Sequence, residues 1–330
     1  MFSTTFGAKR TLTLFFNGTY TARQPSHAVM RITPRLRLAA VLALVLAVAL
    51  VATSHPFAAQ AGLREHTLFV SALDAKSEPV EGLPPETFIV TEDGRRREVL
   101  RVSRAIDPID IALLVDNSAA TRAITNDLRA GLAAFVARMA PANQIAVITL
   151  ADRPTIVTDY ISDPKRLGEA VKVFSMPGTG MTLLDALMET SKGIAKRESP
   201  RAAIVAVTTD GTEYTNYYSR DVVKALTGAG VQLHIVGIGR FLYSDEHAIR
   251  ERSFLLTDGP RSTGGEQVTL LAANALPQTL ERLARQLSSQ YKVVYSRPES
   301  LIPPEKIEVA SARAEITMRG SQAREWKEPR

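Results

Sequence analysis

Three short clusters concentrate the side chains able to do chemistry: Asp116-Asn117-Ser118, Gly180-Met181-Thr182 and Thr209-Asp210-Gly211. Each reads as following a strand of one parallel sheet. Strand ends along one edge converge in space, so carboxylates and hydroxyls far apart in the chain are expected to meet there. They offer oxygen ligands only, and an oxygen site with few carboxylates and retained water suits Mg²⁺, or less selectively Mn²⁺, rather than zinc. A plainer role is open to the same residues: Asp116 and Asp210 as caps of the helices that follow, with Ser118 and Thr182 as cap hydroxyls. His66, His234 and His247 are scattered, and His234 lies inside an apolar strand, where a satisfied structural histidine is expected.

The elements that must position these clusters are legible from periodicity. The run Ile109 to Val115 is aliphatic and β-branched, and Leu128, Leu132, Phe135, Val136 and Met139 follow it at helical spacing. The unit repeats, with strands expected at 144–150, 155–161, 202–208 and 231–238. Helices are expected at 163–174, opened by Asp163 and Pro164, then around Leu184, Leu187 and Ile194, after Ser219, and along Leu276, Leu280, Leu283 and Leu287. Near-continuous apolar strands alternating with helices predict an α/β fold with a doubly wound, mostly parallel sheet covered on both faces. Residues 240–265 read as a long loop with one short helix. On the flanks, strand-like pieces at 67–103 are broken by Pro84-Pro85 and the turn Glu92-Asp93-Gly94, and period-two alternation returns in Tyr291, Val293 and Tyr295 and in Ala314, Ile316 and Met318. An isolated hairpin is only marginally stable, so both chain ends are expected to share one small β-domain.

The segments IALLVDNSAA, PGTGMTLLDAL and VAVTTDG resemble, in that order, the first metal motif, the threonine loop and the third-loop aspartate strand of von Willebrand factor type A domains. The flanks LDAKSEPVEGLPPETFIVTEDGRRREV and TGGEQ…LERLARQLSSQYKVVYSRP are similar to a bacterial exported subgroup of that family, and the resemblance spans roughly residues 66–320. It implies a metal-ion-dependent adhesion site in which Asp116, Ser118 and Thr182 ligate Mg²⁺ or Mn²⁺ directly or through water and Asp210 acts through water. A protein partner would complete the cation's coordination with an acidic side chain. The family's second serine falls on Ala120, so one hydroxyl is missing. Thr121 is one position off and would point elsewhere.

Composition narrows the alternatives. Six of the 40 basic residues and none of the 34 acidic ones lie in residues 1–61, so the remainder carries 34 of each and offers no broad basic surface to nucleic acid. The run Arg95-Arg96-Arg97 reads as the solvated end of a hairpin. Cysteine is absent, which removes disulfides, zinc thiolates and cysteine nucleophiles. No G-x-G-x-x-G, P-loop or G-x-S-x-G elbow is present; Gly237 and Gly239 form only a lone G-x-G. The expectation is a non-enzymatic binding module, with a metal-free envelope scaffold as the alternative and a hydrolase built from non-local residues behind it. From Met30 a basic segment, an apolar stretch from Leu38 to Ala52 and the small residues Ala59 and Ala61 have the layout of a signal peptide cleaved after Ala61, or of an anchor if uncleaved. Residues 1–29 read as an over-extended gene start. The expected organisation is therefore a leader at 1–61, a β segment at 62–104, the α/β domain at 105–289 and a C-terminal β segment at 290–330, in an exported, periplasmic or secreted protein.

Overall fold

The computed structural model describes residues 63–242, 244–299, 302, 304 and 306–322. The leader and the Ala61-Gly62 junction expected from sequence lie outside them. In chain order the strands are β1 (Leu63–Leu73), β2 (Phe88–Glu92), β3 (Arg95–Arg97), β4 (Val99–Arg104), β5 (Asp110–Val115), β6 (Gln144–Thr149), β7 (Thr155–Ile161), β8 (Ala202–Thr209), β9 (Val231–Ile238), β10 (Gln267–Leu270), β11 (Tyr291–Pro298), β12 (Ile307–Ser311) and β13 (Thr317–Gln322). The helices are α1 (Thr125–Met139), α2 (Pro164–Ala170), α3 (Leu183–Arg197), α4 (Ser219–Gly228), α5 (His247–Thr263) and α6 (Leu276–Ser288).

Six strands form the central sheet in the order β10-β9-β8-β5-β6-β7, parallel throughout except for β7, which returns antiparallel beside β6. The middle strand β5 shows why the apolar runs are continuous. Ile111, Leu113 and Val115 enter the core that also holds α1, α2 and α6, while Ala112 and Leu114 enter the opposite core with α3, α4 and α5. Burial on both faces removes any polar alternation. This is the doubly wound arrangement expected, and it sets the carboxyl ends of β5, β6, β8 and β9 along one edge.

The flanks build two further sheets, β13-β1-β11-β4 and β12-β2-β3, both antiparallel and both drawn from the two ends of the chain. Their shared core contains Leu68, Val70, Phe88, Val90, Val293 and Tyr295. The arginine run does lie at a hairpin end, but Arg97 turns inward to the buried Glu92 carboxylate at 2.8 Å, which also accepts from Tyr295 Oη at 2.7 Å. Arg201, just before β8, joins flank to centre. Its guanidinium donates to Asp107 O (2.8 Å), Leu287 O (2.8 Å) and Gln290 Oε1 (2.9 Å), and it lies 5.0 Å over the Phe69 ring. Burial pushes its pKa down to about 10.

Four expectations need correction. Residues 247–263 form a 17-residue helix rather than lying in a long loop with one short helix. Its buried stripe includes Glu251 and Arg252, polar residues that interrupt the apolar period, and Pro260 sits in its last turn. The short edge strand β10 was not anticipated. Helix α2 stops at Ala170, with Asp163 capping it through Lys165 N and Arg166 N. Ala314 is exposed in a turn, so only Ile316 and Met318 of their trio are buried.

Candidate functional site

Asp116 follows β5 directly and is 1% exposed. Its Oδ1 accepts from Ser118 N at 2.8 Å; its Oδ2 accepts from Thr209 N at 3.1 Å and from Thr209 Oγ1 at 2.5 Å. One carboxylate thus ties the ends of β5 and β8 together. Ser118 Oγ is buried and has no hydrogen-bond partner, and it caps nothing. A buried hydroxyl without a partner costs roughly 1–3 kcal/mol, and this one lies beside a buried carboxylate.

Ala120 Cβ and Ser118 Oγ both face Gly211, at 3.0 and 3.5 Å from where a Cβ on that glycine would stand. The position of the absent hydroxyl therefore points into the same space. Thr121 does not replace it, since its hydroxyl donates to Ser118 O at 2.8 Å. Asn117 props the loop, accepting from Ala151 N at 2.9 Å.

Asp210 lies at the exposed rim after β8. Its Oδ2 accepts from Arg240 N at 2.8 Å, and the neighbouring Gly239 has φ +116°, with its hydrogen turned toward the carboxylate; a Cβ there would come within 2.5 Å of it. Gly239, just after β9, thus gives the Asp210 carboxylate room, a role that the G-x-G pattern alone does not reveal. Thr182 stands at the start of α3 without capping it, and its Oγ1 donates to Leu150 O at 2.9 Å. Its loop does not follow a parallel strand, as the sequence suggested. It is pinned by Met181, whose N donates to Thr212 O at 2.8 Å and which bridges to Ala151 and Glu213.

Two groups had no sequence signal. Arg252 of α5 donates to Gly211 O and lies near enough to Asp116, Asp210 and Glu213 for all three to oppose the lowering of its pKa by burial. Glu213 is 0% exposed, and burial pushes it up to about 8. Its Oε1 accepts from Leu184 N at 3.3 Å.

The residues present fit a small hard cation better than a soft one. Every donor is oxygen, one hydroxyl is unpartnered, and no three Asp, Glu or His side chains among the described residues converge to hold a metal without neutral ligands or water. His234, buried in β9, has neither ring nitrogen bonded, and burial pushes it down to about 3. It is therefore a neutral core imidazole, not the hydrogen-bonded one expected.

No curated protein matches the chain. Among solved structures, proximal thread matrix protein 1 from the mussel byssus is 19% identical with a TM-score of 0.46, covering 60% of this chain and 50% of its own, so this chain spans about half its length. A von Willebrand factor type A protein from Catenulispora acidiphila is 11% identical with a TM-score of 0.45, covering 82% and 76%. BatB from Bacteroides thetaiotaomicron is 13% identical with a TM-score of 0.40, covering 55% and 100%. At these identities the assignment rests instead on the family model of the von Willebrand factor type A domain, which matches residues 110–254 and spans Asp116, Ser118, Thr182 and Asp210. Residues 110–254 therefore match the von Willebrand factor type A domain.

Proposed function

We propose that the chain is an exported protein-binding module of adhesion type, in which Asp116, Ser118, Thr182 and Asp210 hold Mg²⁺ or, less selectively, Mn²⁺. A cation there would supply an open coordination position for a carboxylate of a protein partner. The observation that carries this reading is the buried, unpartnered Ser118 Oγ beside the Asp116 carboxylate at the end of the central strand. Around residues 105–289, the segments 62–104 and 290–330 act as one flanking β-domain, and the leader directs the chain out of the cytoplasm. No helix among the described residues is long and apolar enough to cross a membrane.

A metal-free envelope scaffold is the second reading, favoured by Ala120 and by the Arg252 guanidinium that already supplies positive charge beside the two aspartates. Envelope extract passed over immobilised chain in Mg²⁺, in chelator, and over Asp116→Ala in Mg²⁺ separates the two. Proteins retained only by the wild type in Mg²⁺ support the adhesion module. The same set retained under all three conditions would leave the scaffold.

A further inference from the structure

Arg252 brings a fixed positive charge to the proposed metal position from outside the three metal motifs. It projects from α5, is 3% exposed, and gives its Nη1 to Gly211 O, with the guanidinium 5.4 Å from the centre of the Phe241 ring. That ring is packed on Gly237 near the end of β9, where a Cβ would come within 2.6 Å of it. Gly211 follows Asp210 and faces both Ser118 Oγ and Ala120 Cβ, so the guanidinium grips the peptide that stands beside the proposed ligands. No carboxylate among the described residues pairs with Arg252 directly, and its Nε is buried without a partner. A bond to one carbonyl needs only a neutral donor, and burying a full charge to make it is costly. The carboxyl groups just beyond offset that charge: Glu213, Asp210 and Asp116 all attract it. Burial keeps Glu213 mostly neutral near pH 7, so the standing counter-charge is that of the two aspartates.

We infer that Arg252 is a tethered counter-ion of the adhesion site, whose guanidinium competes with a divalent cation for the charge of Asp116 and Asp210 and so holds the site's affinity low. This rests on the metal-binding reading of that site and adds its regulation. Two carboxylates balance a divalent cation by themselves. With Arg252 beside them the filled site carries one positive charge in excess, and the carboxylate of an acidic partner removes it. Cation and partner then favour each other's binding, and the site responds to abundant divalent cation in place of scavenging traces of it.

The test is calorimetric titration of Mg²⁺ into the full chain as wild type, Arg252→Gln and Arg252→Lys, with urea unfolding of each in Mg²⁺ and in chelator. Glutamine keeps a donor for Gly211 O without the charge, and lysine keeps the charge. Arg252→Gln should bind Mg²⁺ at least about fivefold more tightly than wild type, the scale of a partly screened charge–charge interaction, while Arg252→Lys stays close to wild type. Mg²⁺ should also raise the urea midpoint of Arg252→Gln more than that of wild type, since the tighter ligand stabilises more. Arg252→Met, neutral and similar in length, serves as the second neutral variant if Arg252→Gln does not fold. Loss of a merely structural support would weaken Mg²⁺ binding, the opposite direction. Neutral variants that bind Mg²⁺ no more tightly than wild type, that stay unfolded in its presence, or that are matched by Arg252→Lys overturn the counter-ion and leave the metal site standing. No Mg²⁺ binding by wild type or any variant removes the metal reading and the counter-ion together. Binding by the neutral variants alone would support the counter-ion in its strongest form.

Discussion

A serine at position 120 would place its hydroxyl in the space shared by Ser118 Oγ and Gly211, because the Ala120 Cβ already points there. Water standing in for that hydroxyl costs up to about 2 kcal/mol of ordering. Ala120→Ser should therefore tighten Mg²⁺ binding, by no more than about thirtyfold, as calorimetric titration would show; unchanged affinity would mean that the position does not reach the cation. A separate effect belongs to Glu213. Its carboxyl is pushed up to about 8 from an ordinary 4.5 by burial, so the neutral form favours the folded chain. That stabilisation is whole below about pH 4.5 and is lost as pH rises through about 8. In chelator, the urea unfolding free energy of the wild type should fall between pH 5 and pH 9 relative to Glu213→Gln, by about 4 kcal/mol at most; a constant difference between the two would contradict the buried carboxyl. At this scale the four proposed ligands were legible because each lies in a contiguous motif. Glu213, Arg252 and the service of Gly239 to Asp210 were not, because they depend on contacts between separate loops that no local spacing records.

Among the elements, α5 shows what hid the rest. Its buried stripe runs Ala248, Glu251, Arg252, Leu255, Leu256 and Gly259, and two of those residues are charged because they reach across to other elements. Glu251 accepts from Ser219 N and Oγ at the start of α4, and Arg252 donates to Gly211 O. Tertiary partners satisfy side chains that, read along the chain alone, belong to a polar loop. By contrast, α1 and α6 turn apolar stripes toward their shared core, and the spaced residues Leu128, Leu132, Phe135, Val136 and Met139 and Leu276, Leu280, Leu283 and Leu287 mark both in the sequence. The flanking sheet makes its own prediction. Strand β11 lies between β1 and β4, so a chain ending at Ser289 leaves both without their partner, and limited proteolysis should then cut within 63–104. Protection equal to that of the full chain would contradict the shared sheet. Arg201→Met should destabilise the fold by about 2–4 kcal/mol in denaturant unfolding, because it strands two buried acceptors and one part-buried acceptor of the joint between flank and centre.

For the whole molecule, the charge balance outside residues 1–61 is neutral and the working edge of the sheet carries both signs, two aspartates and Arg252 at the proposed metal position. Such a surface suits discrimination between partners by charge placement more than by net attraction. The proposed export is tested on the intact chain: the mass of the exported product should correspond to a start near Gly62, and a product that keeps the leader would be anchored. In the proposed function, the site still binds a divalent cation through Asp116 despite Ala120. Calorimetric titration of Mg²⁺ into wild type and Asp116→Ala tests it most directly. One weak site is expected in the wild type and none in the variant, since no water supplies the lost charge. Heats indistinguishable between the two proteins would contradict it.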